Sequence, residues 1–84
     1  MITRAELEQY RRMTDHHRRS PEAKAFRRKL EAAIKTMPRD LQRIVVFRYC
    51  LRLSWTTVAL KIPCGERTVF RLDKKACKAL EERE

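Results

Sequence analysis

"LSWTTVALKIPCGERTVFRL", residues 53–72, holds two short amphipathic runs joined by a stretch that contains Pro63 and the chain's only glycine, Gly65. Ser54 stands where it would cap the first run. Two helices joined by a tight turn cross steeply, so packing fixes a few positions: a small side chain where they touch, and apolar ones toward the core. Residues 55–74 supply them in order. Val58 and Ile62 make the core face of the first helix, Ala59 is the small residue at closest approach, Cys64 is the apolar residue of the turn, and Val69 and Leu72 are the inner face of the second helix. Pro63 stands where such turns usually carry glycine, and proline cannot take a positive φ. The expected site of any positive φ is therefore Gly65, which is also a tolerable N-cap for the last helix.

Outward from this window the chain reads as helical. Thr3 followed by Glu6 is a capping-box pattern, and Ala5, Leu7, Tyr10 and Met13 give a ragged apolar side to a first helix over about 4–17. Ser20 as N-cap, Pro21 at the first helical position and Glu22 in the first turn open a second helix, whose Ala23, Phe26, Leu30, Ala33, Ile34 and Met37 recur at spacings of three and four. Pro38 ends that helix and begins a third, "PRDLQRIVVFRYCLRL". Its "IVVF" is β-branched enough for a strand, yet Leu41, Ile44, Val45, Phe47, Cys50 and Leu51 form a wide helical arc. A short fourth helix covers about 55–61, and a fifth runs from near Glu66 toward Leu80. The expected fold is all-α, a small bundle of about five helices in a single domain, with residues 1–36 as an N-terminal helical pair and 37–84 carrying a C-terminal helix-turn-helix.

Charge narrows the partner. Twenty-one Lys and Arg stand against 11 Asp and Glu, a formal net charge of +10, and both halves share the excess. Such a balance attracts polyanions, nucleic acid first and an anionic membrane surface second. The membrane is disfavoured because the arginines lie all round the chain rather than opposite one apolar face. No apolar run approaches a bilayer span and the N-terminus lacks a signal-peptide core, so a cytoplasmic location is expected. Cys50, Cys64 and Cys77 form no C-x-x-C pair, and His16 and His17 sit in a polar run, so no metal or cofactor is expected. No nucleophile with a base, paired carboxylates or phosphate-cradling glycine loop is visible, and the chain is not expected to be an enzyme.

The outward positions of the last helix are Glu66, Arg67, Thr68, Phe70, Arg71, Lys74 and Lys75. A major groove admits one α-helix; arginine grips guanine through two hydrogen bonds, threonine or an aromatic edge touches a thymine methyl, and lysines neutralise phosphate. Free N–H groups in the first turn of either helix would anchor the backbone, at Ser54, Thr56 and Thr57 or at Glu66 to Thr68. Trp55 is expected to dock a helix end in the core. Phe70 has two readings, base contact or core.

"FRYCLRLSW", "VALKI" and "TVFRL" together resemble region four of bacterial sigma factors, and more closely the phage transcriptional activators of the RinA and ArpU type, over about residues 37–80. The likeness lies in R-Y-x-x-x-x-S-W ahead of the motif, in the first helix, and in T-V-x-R followed by an aliphatic residue. Sigma region four more often has its aliphatic residue one position later, at Asp73. Pro63 and Cys64 also depart from the family's turn, and residues 1–36 match nothing in it. The resemblance implies a DNA-binding regulator at a phage or prophage promoter, with base contacts at Arg67, Thr68, Phe70 and Arg71, backbone contacts at Lys74 and Lys75, and host RNA polymerase as a further partner.

Two other functions fit part of the pattern. A DNA-packaging protein such as a small terminase subunit carries its helix-turn-helix at the N-terminus, followed by an oligomerisation domain that this chain lacks room for. A protein-interaction module would use the Met, Phe and Leu faces of the first two helices against polymerase or a regulatory partner. A homodimer reading two half-sites is a further expectation, with residues 1–19 as candidate contact to a second copy or to polymerase.

Overall fold

The computed structural model describes residues 1–62 and 65–82. The fold is a small all-α bundle of five helices, with no strand among the described residues. α1 spans Arg4–Arg12, α2 Pro21–Ile34, α3 Arg39–Val45, α4 Trp55–Lys61 and α5 Glu66–Glu82. A single 3-10 turn, His17–Arg19, leads into α2, and α3 continues into a π turn, Val46–Cys50.

The helix starts follow local chemistry. Thr3 and Glu6 close a reciprocal capping box on α1, with the Glu6 backbone N–H donating to Thr3 Oγ1 (3.2 Å) and the Thr3 N–H donating to Glu6 Oε1 (3.0 Å). Ser20 accepts from the Ala23 N–H ahead of Pro21, and Ser54 accepts from the Thr57 N–H ahead of Trp55. Each cap satisfies a donor that the helix itself leaves open.

Three expectations need correction. α1 stops at Arg12 instead of running to about 17, because the hydroxyl of Thr14 takes the His17 N–H (3.2 Å), a local bond that competes with the helix ladder. The "IVVF" run is helical, but α3 widens after Val45: the Leu51 N–H returns five residues to the Val46 carbonyl (2.8 Å). The wider turn brings Tyr49 and Cys50 both into the core and leaves Leu51, expected in the apolar arc, 53% exposed. Positive φ falls at Arg52 (φ 59°), not at Gly65. Left-handed backbone costs a non-glycine residue roughly 1–2 kcal/mol. Arg52 offsets it with its side chain, which donates to the Met13 carbonyl (2.8 Å) and to Asp15. Pro63 and Cys64, assigned to the turn, lie outside the described residues.

The core has two parts joined along α3 and α5. The larger gathers Ile2, Leu7, Leu30, Ala33, Ile34, Met37, Leu41, Val45, Tyr49, Cys50, Ala76, Cys77 and Leu80; the smaller gathers Ile44, Val58, Ile62 and Val69. Ile2 and Leu7 thus tie the N-terminus into the large cluster, with the Ile2 N–H donating to the Leu80 carbonyl (3.0 Å) near the end of α5. Of the Met, Phe and Leu faces expected to dock a partner helix, Leu7, Leu30 and Met37 are buried, whereas Met13 and Phe26 are half-buried.

A domain this small has little apolar surface to spare, so single truncations are felt. Leu30→Ala, at a position with no exposed surface, is expected to cost about 2–5 kcal/mol of unfolding free energy in a denaturant titration. Leu60→Ala, at a position 78% exposed, should fall within about 0.5 kcal/mol of the parent.

Candidate nucleic-acid interface

α4 and α5 meet through the inner positions read from the sequence. Val58 and Val69 are fully buried and Ile62 nearly so, while Ala59 and Leu72 are half-buried against the same cluster. A column of rings and one guanidinium braces the pair from outside. The Arg48 guanidinium lies 4.1 Å over the Trp55 ring, and Trp55 meets Phe70 edge-to-face at 4.9 Å between centroids. Arg48 is itself fixed by donating to the Leu53 carbonyl (3.0 Å). Trp55 therefore docks the start of α4, as expected. Phe70 is not in the core: it meets Trp55 edge-to-face and keeps 47% of its surface exposed.

The remaining candidate positions of α5 form one outward side: Glu66, Arg67, Thr68, Arg71, Lys74 and Lys75 are all exposed. Thr56 on α4 donates to Glu66 Oε1 (3.1 Å), so the first turn of α5 is tied to α4 by its own acidic residue. A carboxylate at that end also suits the helix dipole. Ser54 Oγ donates to Thr57 Oγ1 (2.9 Å) in addition to capping α4. The hydroxyls of Ser54 and Thr56, and that of Thr57 as an acceptor, are thus engaged within the pair, and a phosphate oxygen contacting them would compete with those bonds. Arg67, Arg71, Lys74 and Lys75 have no carboxylate partner among the described residues. These positions, with exposed Lys78 on the same side, offer five cations, a hydroxyl, an aromatic edge and one carboxylate able to accept from a cytosine amine.

The opposite side of α5 contains a residue that apolar periodicity passed over. Asp73, at the position where sigma region four more often has an aliphatic side chain, is 2% exposed. The Tyr49 hydroxyl donates to its Oδ1 (2.7 Å), and Arg4 Nη2 donates to its Oδ2 (2.9 Å). Cys77, one turn along, has its Sγ 3.8 Å from Oδ1 and 3.7 Å from the Tyr49 hydroxyl. The signal was present in the sequence: Val69, Asp73, Ala76 and Leu80 follow one another at the spacing of a buried helical face. The far partner, Arg4, lies 69 residues away and no spacing could indicate it.

Burial, then the Asp73 charge, pushes the Tyr49 hydroxyl far above the usual tyrosine value of 10.0, so it stays protonated and donating. Burial likewise raises the Cys77 and Cys50 thiols. Both cysteines are free and inside the core, which suits packing and not nucleophilic chemistry.

The folded state holds the Tyr49 proton where the unfolded chain would release it. This contribution is fully present below pH 10 and is lost as pH rises above it. Tyr49→Phe should flatten the alkaline limb of stability measured by denaturant titration at a series of pH values. Asp73→Ala, which strands the Tyr49 hydroxyl, is expected to cost about 1–3 kcal/mol. The double variant Asp73→Leu/Tyr49→Phe should recover most of that loss, because removing both partners leaves nothing unsatisfied. A thermodynamic cycle over the two sites measures the coupling.

No protein-family model matches this chain, and neither a curated protein nor a solved structure does. The likeness to sigma region four therefore rests on the residues quoted for it.

Proposed function

We propose that this chain binds double-stranded DNA with sequence preference, inserting α5 into the major groove as a regulator of transcription on phage or prophage promoters. The supporting observation is the outward side of α5. Its candidate cations Arg67, Arg71, Lys74 and Lys75 are exposed, have no acidic partner among the described residues, and are held in register by buried Val69, Asp73 and Ala76 behind them. In this reading Arg67 and Arg71 read bases, Thr68 and Phe70 contact thymine methyl groups, and Lys74 and Lys75 reach phosphate. Ser54, Thr56 and Thr57 approach the backbone at the start of α4, and Glu66 both ties the pair together and faces the base edges. The chain acts by binding and carries out no reaction. Host RNA polymerase and a second copy of the chain belong to the same proposal as partners.

The protein-interaction alternative keeps only part of its surface: Leu7, Leu30 and Met37 lie in the core, while Met13 and Phe26 are half-buried. A packaging role is left without a specific observation in its favour.

Selection of bound duplexes from a random pool should recover a preferred site, and its symmetry would report one copy or two. On that site, Arg67→Ala or Arg71→Ala should each cost about 1–3 kcal/mol of binding, with little effect on random duplex. Equal losses on both duplexes would demote them to phosphate contacts. Affinity should fall steeply between low and moderate salt; a flat response would remove the DNA reading altogether.

A further inference from the structure

Internal contacts take up part of the positive charge. Arg4, Arg11, Arg27 and Arg52 pair with Asp73, Glu8, Glu31 and Asp15. Arg43 and Arg48 turn their guanidinium groups onto backbone carbonyls. On α2, Lys24 and Arg28 are exposed and have no carboxylate partner among the described residues. With Tyr10, Arg18 and Arg27 they line an open groove of about 390 Å³ that no acidic residue lines.

Two features of this groove point outward from the fold. Lys24 and Arg28 are four residues apart with Arg27 between them, and like charges at that spacing oppose the helix by a few tenths of a kcal/mol. Glu31 relieves Arg27 (2.7 Å) but not the other two. The core contacts of α2 are made by Ala23, Leu30, Ala33 and Ile34, so packing does not require either cation. The floor is a fixed charge: the Arg18 guanidinium lies 4.1 Å over the Tyr10 ring and donates to the carbonyls of Tyr10 (2.9 Å), Tyr49 (2.9 Å) and Cys50 (2.6 Å).

We infer that this groove is a second nucleic-acid contact, taking the phosphodiester backbone outside the base-reading contact of α5. The inference rests on the duplex-binding reading above and extends it to the N-terminal half of the chain. Phosphodiesters supply closely spaced negative charge and need no apolar anchor. An acidic peptide would need one for affinity, and the one large aromatic residue in the lining, Tyr10, is 3% exposed. A duplex extended beyond the α5 site offers further backbone phosphates for such a contact.

The test uses the full chain, its Lys24→Ala/Arg28→Ala variant, and two duplexes carrying the selected site, one trimmed to it and one extended by a turn on each side. Alanine at exposed helix positions keeps the fold, and unchanged thermal unfolding confirms it; Lys24→Gln/Arg28→Gln serves as a second version. The variant should lower the log–log salt slope on the extended duplex by about 1.8, two phosphate contacts' worth, with unchanged base preference and little change on the trimmed one. An unchanged slope on the extended duplex, with Arg67→Ala still abolishing preference, would overturn the groove contact and leave the α5 reading standing. An equal loss on polyglutamate would overturn it as a general anion patch. A wild-type chain that binds neither duplex at low salt would remove both readings together.

Discussion

The carboxylate of Asp73 is the constraint around which the other elements arrange themselves. A carboxylate removed from water is costly unless its oxygens are hydrogen-bonded, and here each oxygen takes a donor from a different part of the chain. Tyr49 comes from the π turn after α3, and Arg4 from the first turn of α1. Apolar contacts tolerate sliding, because burial has no direction; these bonds do not, because their strength falls off steeply with angle. Meeting both at once fixes α1, the π turn and α5 relative to one another. It also sets the rotation of α5 about its own axis. With Asp73 inward, the side bearing Arg67, Arg71, Lys74 and Lys75 must face out.

Arginine serves this small fold in a second way. Helix ends leave carbonyl groups without partners, and glycine-based C-caps commonly satisfy them. A chain with a single glycine has little access to that solution. Arg18 takes the carbonyls of Tyr10, Tyr49 and Cys50, Arg52 that of Met13, Arg48 that of Leu53, and Arg43 that of Lys61. Several of the 21 basic residues are thus ligands for the chain's own backbone. The arginines bound to backbone or carboxylate in this way are taken up within the fold, while those on the outer side of α5 and along α2 remain exposed.

Local structure was largely legible. The capping box at Thr3, the caps at Ser20 and Ser54, and the helical period of Leu30, Ala33 and Ile34 depend on residues within a few positions of each other. Their chemistry acts at that range and is visible in one dimension. The same holds for the inner faces of α4 and α5, where Val58, Ile62 and Val69 lie as their spacing indicated. The candidate side of α5 was legible as the complement of that inner face. Phe70 was not, because its environment depends on Trp55 from another helix.

What the sequence determined by itself is helix type, most helix starts, the excess of positive charge and the face of α5 that carries it. Tertiary structure alone decided which partners the internal charged residues meet. Arg4 and Asp73 stand 69 positions apart, and Arg18 reaches carbonyls more than 30 residues away. Among the described residues it also decided where the backbone turns left-handed: Arg52, whose side chain finds Met13 and Asp15 across the fold. The physical reason is common to both. A hydrogen bond between distant residues depends on how the helices pack, and packing depends on every apolar face together, so no short window of sequence contains it.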